Sequence, residues 1–189
     1  MAGSKSKGAK QKKKTWYEIL APREFNNQTI GETLAFSSDS LIGRTTSFNL
    51  MNLTRDMKKQ NMMVKFKIKE VKDGKALTEI VGYHMVPAYV KRVIRTGRTK
   101  INDSAEYVTR DKIKVRIKPL ILTRGIIKKS VVKCLRKESR KFLKEFVERQ
   151  NYENIFSSII SYIIQRKLKS YLRKVSPIAV CEIRVFEKI

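Results

Sequence analysis

Apolar and polar residues alternate strictly along MMVKFKIK. Met62, Val64, Phe66 and Ile68 fall on one face of an extended chain, and Lys65, Lys67 and Lys69 on the other. Asp73-Gly74 follows, a pair suited to a two-residue hairpin turn because glycine tolerates positive φ. KALTEIVGYH then reads as the returning strand. The period of two begins at Thr29 and recurs at Thr46, Phe48 and Leu50, which alternate with Ser47 and Asn49. It recurs in KIKVRIKP, where Ile113, Val115 and Ile117 oppose Lys114, Arg116 and Lys118. Near the end, Cys181, Ile183 and Val185 alternate with Glu182 and Arg184. Several half-buried strands with one polar face predict a small antiparallel β-barrel-like core or a strongly curved sheet.

Three segments follow a helical period instead. VPAYVKRVIR (86–95) predicts a short helix, with Pro87 tolerated in its first turn. Residues 125–149 predict a long helix with Ile127, Val131, Cys134, Leu135, Phe142 and Phe146 on its apolar side. Residues 152–174 predict a second long helix, opened by Asn151 as N-cap and stopped by Ser176-Pro177. Its broad apolar set, from Ile155 to Leu172, predicts deep burial. The expected fold class is α+β: one globular domain over 15–189, strand-rich over 29–122, helical over 125–175, and closed by a strand over 178–188.

Charge changes the picture more than composition does. Apolar residues make up 41%, as in ordinary globular proteins, but 43 Lys and Arg face 17 Asp and Glu, a net charge of +26. A body with that charge repels itself and is stabilised by a polyanion, of which nucleic acid is the commonest. No apolar run approaches the roughly 18–20 residues needed to cross a bilayer, and the N-terminus lacks the apolar core of a secretory signal. Residues 1–14, MAGSKSKGAKQKKK, hold six lysines (Lys5, Lys7, Lys10, Lys12, Lys13 and Lys14) and no acid. They are expected to form an RNA-binding tail that orders on its partner.

The chemistry of an enzyme is missing. No phosphate-binding loop, nucleophile elbow or zinc-protease motif is present. His84 is the lone histidine, and the acids are scattered rather than clustered. Cys134 and Cys181 show no metal-ligand spacing and read as two buried, reduced thiols. No metal or other cofactor is expected. The basic residues, by contrast, sit on periodic faces. Lys129, Lys133, Arg136, Lys137, Arg140 and Lys144 form a stripe on the predicted helix 125–149. RVIRTGRTK gathers Arg92, Arg95, Arg98 and Lys100 around Gly97, where backbone amides can approach a phosphate. With Lys65, Lys67, Arg44 and the tail, these are the candidate RNA-contacting residues. No RNA-binding aromatic octapeptide appears, so the expected mode is recognition of phosphate and shape.

One stretch is more specific. KKTWYEILAPREFNNQTIGETL carries a lysine-rich leader, Trp16-Tyr17, Ala21-Pro22, Phe25 and Ile30-Gly31-x-Thr33-Leu34. It resembles the start of the archaeal and eukaryotic small-subunit ribosomal protein family S-three-A-e, also called e-type S-one. LIGRTTSFNLMNL, YHMVPAYVKRVIRTGRTKI and VSPIAVCEIRVFEKI resemble later segments of that family, although its common Leu-Thr-Arg-Asp-Lys opening before the mid-chain helix is absent. The resemblance implies a β-barrel-like core with helices and no catalysis. It also implies a seat on the platform of the small subunit, near the messenger exit and the 3′ end of its RNA. Neighbouring ribosomal proteins, and messenger RNA near the exit, are the further partners implied. The end at Ile189 resembles archaeal members. A free RNA-binding factor and an RNA-processing enzyme are the competing roles. Trp16 reads as a core anchor, with Pro22 stiffening the strap into the first strand; the alternative is a base-stacking platform.

Overall fold

The computed structural model describes residues 13–189. Nine strands and five α-helices alternate along them, so the α+β class holds. The described residues form two compact units: one takes 13–46 with Phe66–Ile80, the other Ser47–Lys65 with Val81–Ile189.

The first unit contains a strand that the alternation from Thr29 does not announce. β1 (Thr15–Leu20) pairs antiparallel with β2 (Thr29–Ala35), register Thr15↔Ala35 to Ile19↔Gly31. The ladder slips by one residue at Ile30, a bulge that ends the pairing next to the turn carrying Pro22 and Phe25. On its other side, β1 pairs in parallel with the start of β5 (Lys75–Met85) through Glu18, Ile19 and Leu20. The Thr78 hydroxyl donates to Leu20 O at 2.7 Å, which secures the end of β1. β4 (Met62–Lys72) enters β5 through Asp73-Gly74, both at positive φ (48° and 74°), as the hairpin pair predicts. Ile19, Phe25, Ile30, Leu41, Phe66, Ile68 and Ala76 form this unit's core, with Phe25 edge-on to Phe66 at 6.1 Å.

Trp16 stands outside that core. It is 64% exposed, so the anchor expectation fails. The reason is the pleat. In β1 the inward position is Ile19, whereas Trp16 shares its face with Glu18 and points outward.

The second unit is built on β8 (Lys114–Thr123) and β9 (Ile178–Lys188), antiparallel along their whole length. β6 (Lys100–Asn102) and β7 (Ala105–Val108) share the opposite edge of β8. β5 joins β9 from Gly82 to His84. Neither unit's strand path closes on itself, so the barrel-like expectation holds only loosely. β9 carries two bulges, where Arg184 and Ala179 are skipped in the pairing with β8. They turn Phe186 and Ile178 inward and leave Val185 half-buried, against simple alternation. β3 (Thr45–Asn49) ends earlier than the alternation through Leu50 predicts. Asn49 accepts from the Met51 amide at 2.9 Å and caps α1 (Leu50–Thr54), which takes Leu50 into a helix.

α2 (Pro87–Val93) has its proline at the first turn, as expected. α3 spans Lys129–Glu148, starting four residues later than the predicted helix. Its buried stripe is Leu135, Ser139, Leu143 and Val147; Phe142 and Phe146 are half-buried, and Cys134 is exposed rather than buried. The single helix expected over 152–174 is two: α4 (Tyr152–Ile160) and α5 (Ile163–Leu172). Tyr162 breaks them apart at φ 58°, and the Gln165 amide donates at 3.0 Å to Ile159 O, which also accepts from the Tyr162 amide at 3.1 Å. No glycine or proline marks this break, so periodicity alone runs straight through it.

Candidate nucleic-acid interface

The cations of the second unit divide into those that hold the fold and those that do not. On β8, Arg116 reaches Glu106 at 2.7 Å and Glu187 at 3.4 Å, and Lys118 reaches the same Glu187 at 3.7 Å. These side chains stitch β7, β8 and β9 across their polar faces. On α3, Arg140 makes two bonds of 2.6 Å to Asp103, whose side chain is only 9% exposed. That guanidinium holds the Asp103 carboxyl below its usual range and ties α3 to the segment after β6. Lys144 lies 3.9 Å from Glu148, one helical turn on.

The rest of the predicted stripe is different. Lys129, Lys133, Arg136 and Lys137 are exposed, and none forms an ion pair among the described residues. α3 opens without an acid in its first turn and without a side-chain cap; Lys128 stands at its cap and Lys129 follows. Cations at the positive end of a helix dipole are unfavourable for an isolated protein and favour a bound anion.

RVIRTGRTK meets that helix start. The Thr99 hydroxyl accepts from the Ile127 amide at 3.1 Å, one residue before the Lys128 cap. Thr99 also exchanges bonds with Thr123 at the end of β8, amide to hydroxyl at 3.1 Å and amide to carbonyl at 3.1 Å. Two basic features separated in sequence are thereby joined. Arg98 and Lys100 flank Thr99, and Arg124 and Lys128 flank Ile127. Arg124 and Lys128 were missed by a search for periodic stripes because they lie in the connection between β8 and α3. Gly97 takes φ 76°, a left-handed turn open to addition at Cα, so its role is conformational. Arg95 is exposed, and Arg92 lies over the Tyr89 ring at 5.4 Å.

On β4, Lys65 and Lys67 are exposed on its outward face, as the alternation predicts. Lys65, together with burial as the larger cause, lowers the pKa of His84. In the first unit, Arg44 donates to Ser40 O at 3.0 Å and Leu34 O at 3.1 Å, and Lys13 and Lys14 are exposed immediately before β1. Lys5, Lys7, Lys10 and Lys12 lie outside the described residues.

A separate pocket of about 370 Å³ is lined by Tyr89, Tyr162, Gln165, Lys169 and Glu182, which the sequence did not single out. Burial pushes the Glu182 carboxyl up to about 7, partly opposed by Lys169. Lys169 itself donates to Ala179 O at 2.6 Å. Next to Glu182, burial holds the Cys181 thiol up at about 12, an inert sulfur. Among the described residues no three His, Cys, Asp or Glu side chains cluster to hold a metal ion. Among the same residues no helix is long and apolar enough to cross a membrane.

Residues 2–189 match the model of the Ribosomal S3Ae family. The chain is 32% identical to small ribosomal subunit protein eS1 of Halorubrum lacusprofundi, over 88% of this chain and 75% of that one. It is 32% identical to the eS1 of Methanopyrus kandleri (94% and 86% covered) and 33% identical to that of Staphylothermus marinus (88% and 81% covered).

Proposed function

The chain belongs to the Ribosomal S3Ae family, and on that premise we propose that it is a structural protein of the small ribosomal subunit, bound to ribosomal RNA through phosphate contacts. The observation that carries the RNA contact is the group of unpaired cations where RVIRTGRTK meets the start of α3. Arg98, Lys100, Arg124, Lys128 and Lys129 lie there, none in an ion pair among the described residues, while Glu106 of β7 and Glu187 of β9 are spent on β8. Side chains held apart from acids in a chain of +26 keep their charge for an external polyanion. Arg136, Lys137 and Lys133 extend the same surface along α3; Arg92, Arg95 and Lys65 of this unit, and separately Lys67 and the lysine leader of the other, are further candidate contacts. Arg140 and Lys144 contribute less, since each shares its charge with an acid of the chain itself.

Its place is the platform of the subunit, beside the messenger exit and the 3′ end of the RNA, with ribosomal proteins as neighbours and messenger RNA passing near. The resemblance of the leader and its Trp-Tyr and Ala-Pro marks supports that seat. The protein works bound to the ribosome, in the cytoplasm, and the role involves no catalysis. The test is sedimentation of a gentle lysate with detection of this protein. It should run with small subunits and leave them as salt is raised, because phosphate contacts release counterions. A protein found wholly at the top of the gradient at low salt overturns the proposal. So does one found with RNA only away from ribosomes.

A further inference from the structure

We propose that the outer face of the β1–β2 ribbon is a stacking platform for an unpaired base of RNA, with Trp16 as the stacking residue. The inference rests on the RNA-binding role above and adds a mode of contact that phosphate recognition does not supply.

The register builds the face. Trp16 lies directly across from Leu34, and Thr15 across from Ala35. Residues two apart on a strand share a face, so Lys14 and Phe36 stand beside the Trp16–Leu34 rung on the same side. Trp16 is 64% exposed, Phe36 56% and Leu34 38%, an apolar cluster left open to solvent on the polar side of the ribbon. Trp is a large apolar surface with a single donor, and a cluster of this kind marks an interaction site rather than a fold requirement.

Charge selects the occupant. The Lys14 ammonium lies 5.2 Å from the centre of the Phe36 ring. Arg44 fixes its guanidinium at the outer edge of β2 through bonds to Leu34 O and Ser40 O. Neither cation, nor Lys13, forms an ion pair among the described residues. Lys14 is the last of the leader's six lysines and stands two residues before Trp16. The opposing charges on this face are Glu18 and Glu32, across from each other two rungs beyond Trp16, and Glu18 is flanked by Lys75 of β5. An apolar protein surface laid on Trp16 would have to desolvate Lys14 and Arg44 without pairing them. A nucleotide meets both needs: its base covers the indole, and its phosphate faces the cations. Every base has a π face, so such a platform tolerates any sequence.

Trp16 is the single tryptophan of the chain, so its fluorescence reports this face alone. The test titrates the full-length protein, at low salt, with a single-stranded oligoadenylate about ten nucleotides long and with an abasic ribose-phosphate oligomer of equal length. The base-bearing oligomer should quench Trp16 and the abasic one should not, although both bind. Trp16→Ala should weaken oligoadenylate binding by about tenfold, leave abasic binding unchanged and leave the melting temperature unchanged. Trp16→Phe should recover part of the loss. Equal quenching by the two oligomers, or undiminished oligoadenylate affinity in Trp16→Ala, overturns the platform. A large fall in melting temperature in Trp16→Ala also overturns it, by making the residue structural. Quenching by a ribosomal protein and not by RNA assigns the face to a protein partner and overturns it equally. If the unaltered protein binds neither oligomer at low salt, the RNA-binding role itself fails, and that result differs from all the others.

Discussion

At neutral pH the carboxyl of Glu182 sits near half-protonation, because burial raises it from 4.5 to about 7 against the partial pull of Lys169. Its Oε2 makes no hydrogen bond within the protein, and Tyr83, Tyr89 and Tyr162 surround it with phenols whose own pKa values are raised by burial and by Glu182. A raised carboxyl favours the protonated folded state. Its stabilisation is therefore fully present below the unfolded value near 4.5 and is lost as pH rises through about 7. Glu182→Gln should remove that dependence and raise stability by roughly 2 kcal/mol at pH 8, with little change at pH 5. Urea unfolding of both proteins from pH 5 to 8 measures this; parallel curves would show that the ionisation carries no cost. Glu182 was legible in the sequence only as a polar residue alternating with Cys181 and Ile183. Its burial comes from α2 and α5 packing over a position that the period of two assigns to solvent. Trp16 erred the other way. An isolated tryptophan after lysines suggests an anchor, but exposure depended on pairing with β2, which places Leu34 and Phe36 outward as well. Cys134 was read as buried because it falls in the apolar period with Val131 and Leu135, yet the packed stripe of α3 runs through Leu135, Ser139, Leu143 and Val147.

Elements with one face against a core and one in water were legible, and those covered on both faces or interrupted were not. β4 and its turn into β5 follow from alternation and from Asp73-Gly74. The late part of β8 does not alternate, since Pro119 to Thr123 are all buried. The bulges of β9 shift its inward face midway, and only the pairing with β8 reveals where. That pairing also explains Gly82. A Cβ there would lie 2.6 Å from Phe186 O and 3.1 Å from Glu187 Cα, so β5 approaches β9 more closely than any side chain permits. The obstructing atoms are backbone held in the long β8–β9 ladder and cannot swing aside. Gly82→Ala should therefore part the two strands and lower the melting temperature by roughly 3–10 °C. Calorimetry decides it. An unchanged melting temperature would mean the β5–β9 approach is soft.

For the whole molecule, the question is which part of +26 serves the fold and which serves a partner. Composition showed the excess of cations but not their division, because ion pairs such as Arg116 with Glu187 join residues far apart in sequence. The structure separates a stitched set, Arg116, Lys118 and Arg140, from an unpaired set at the start of α3. The two sets should respond differently to mutation. Replacing Lys129, Lys133, Arg136 and Lys137 together by alanine keeps a strong helix former at each position and exposes no new core, so melting should not fall. Each lost phosphate contact removes a released counterion. The plot of log affinity for small-subunit ribosomal RNA against log salt should therefore become shallower by about 3, with weaker binding at every salt concentration. Arg116→Ala is the counterpart. It leaves Glu106 without its ion pair and Glu187 with Lys118 alone, so it should lower stability only slightly for pairs this exposed, and leave the salt slope as it was. Filter binding across a salt series, with melting curves for both variants, separates the two effects. An unchanged slope in the quadruple variant would show that α3 faces solvent or protein in the assembled particle, and would move the RNA contact to the first unit and the leader.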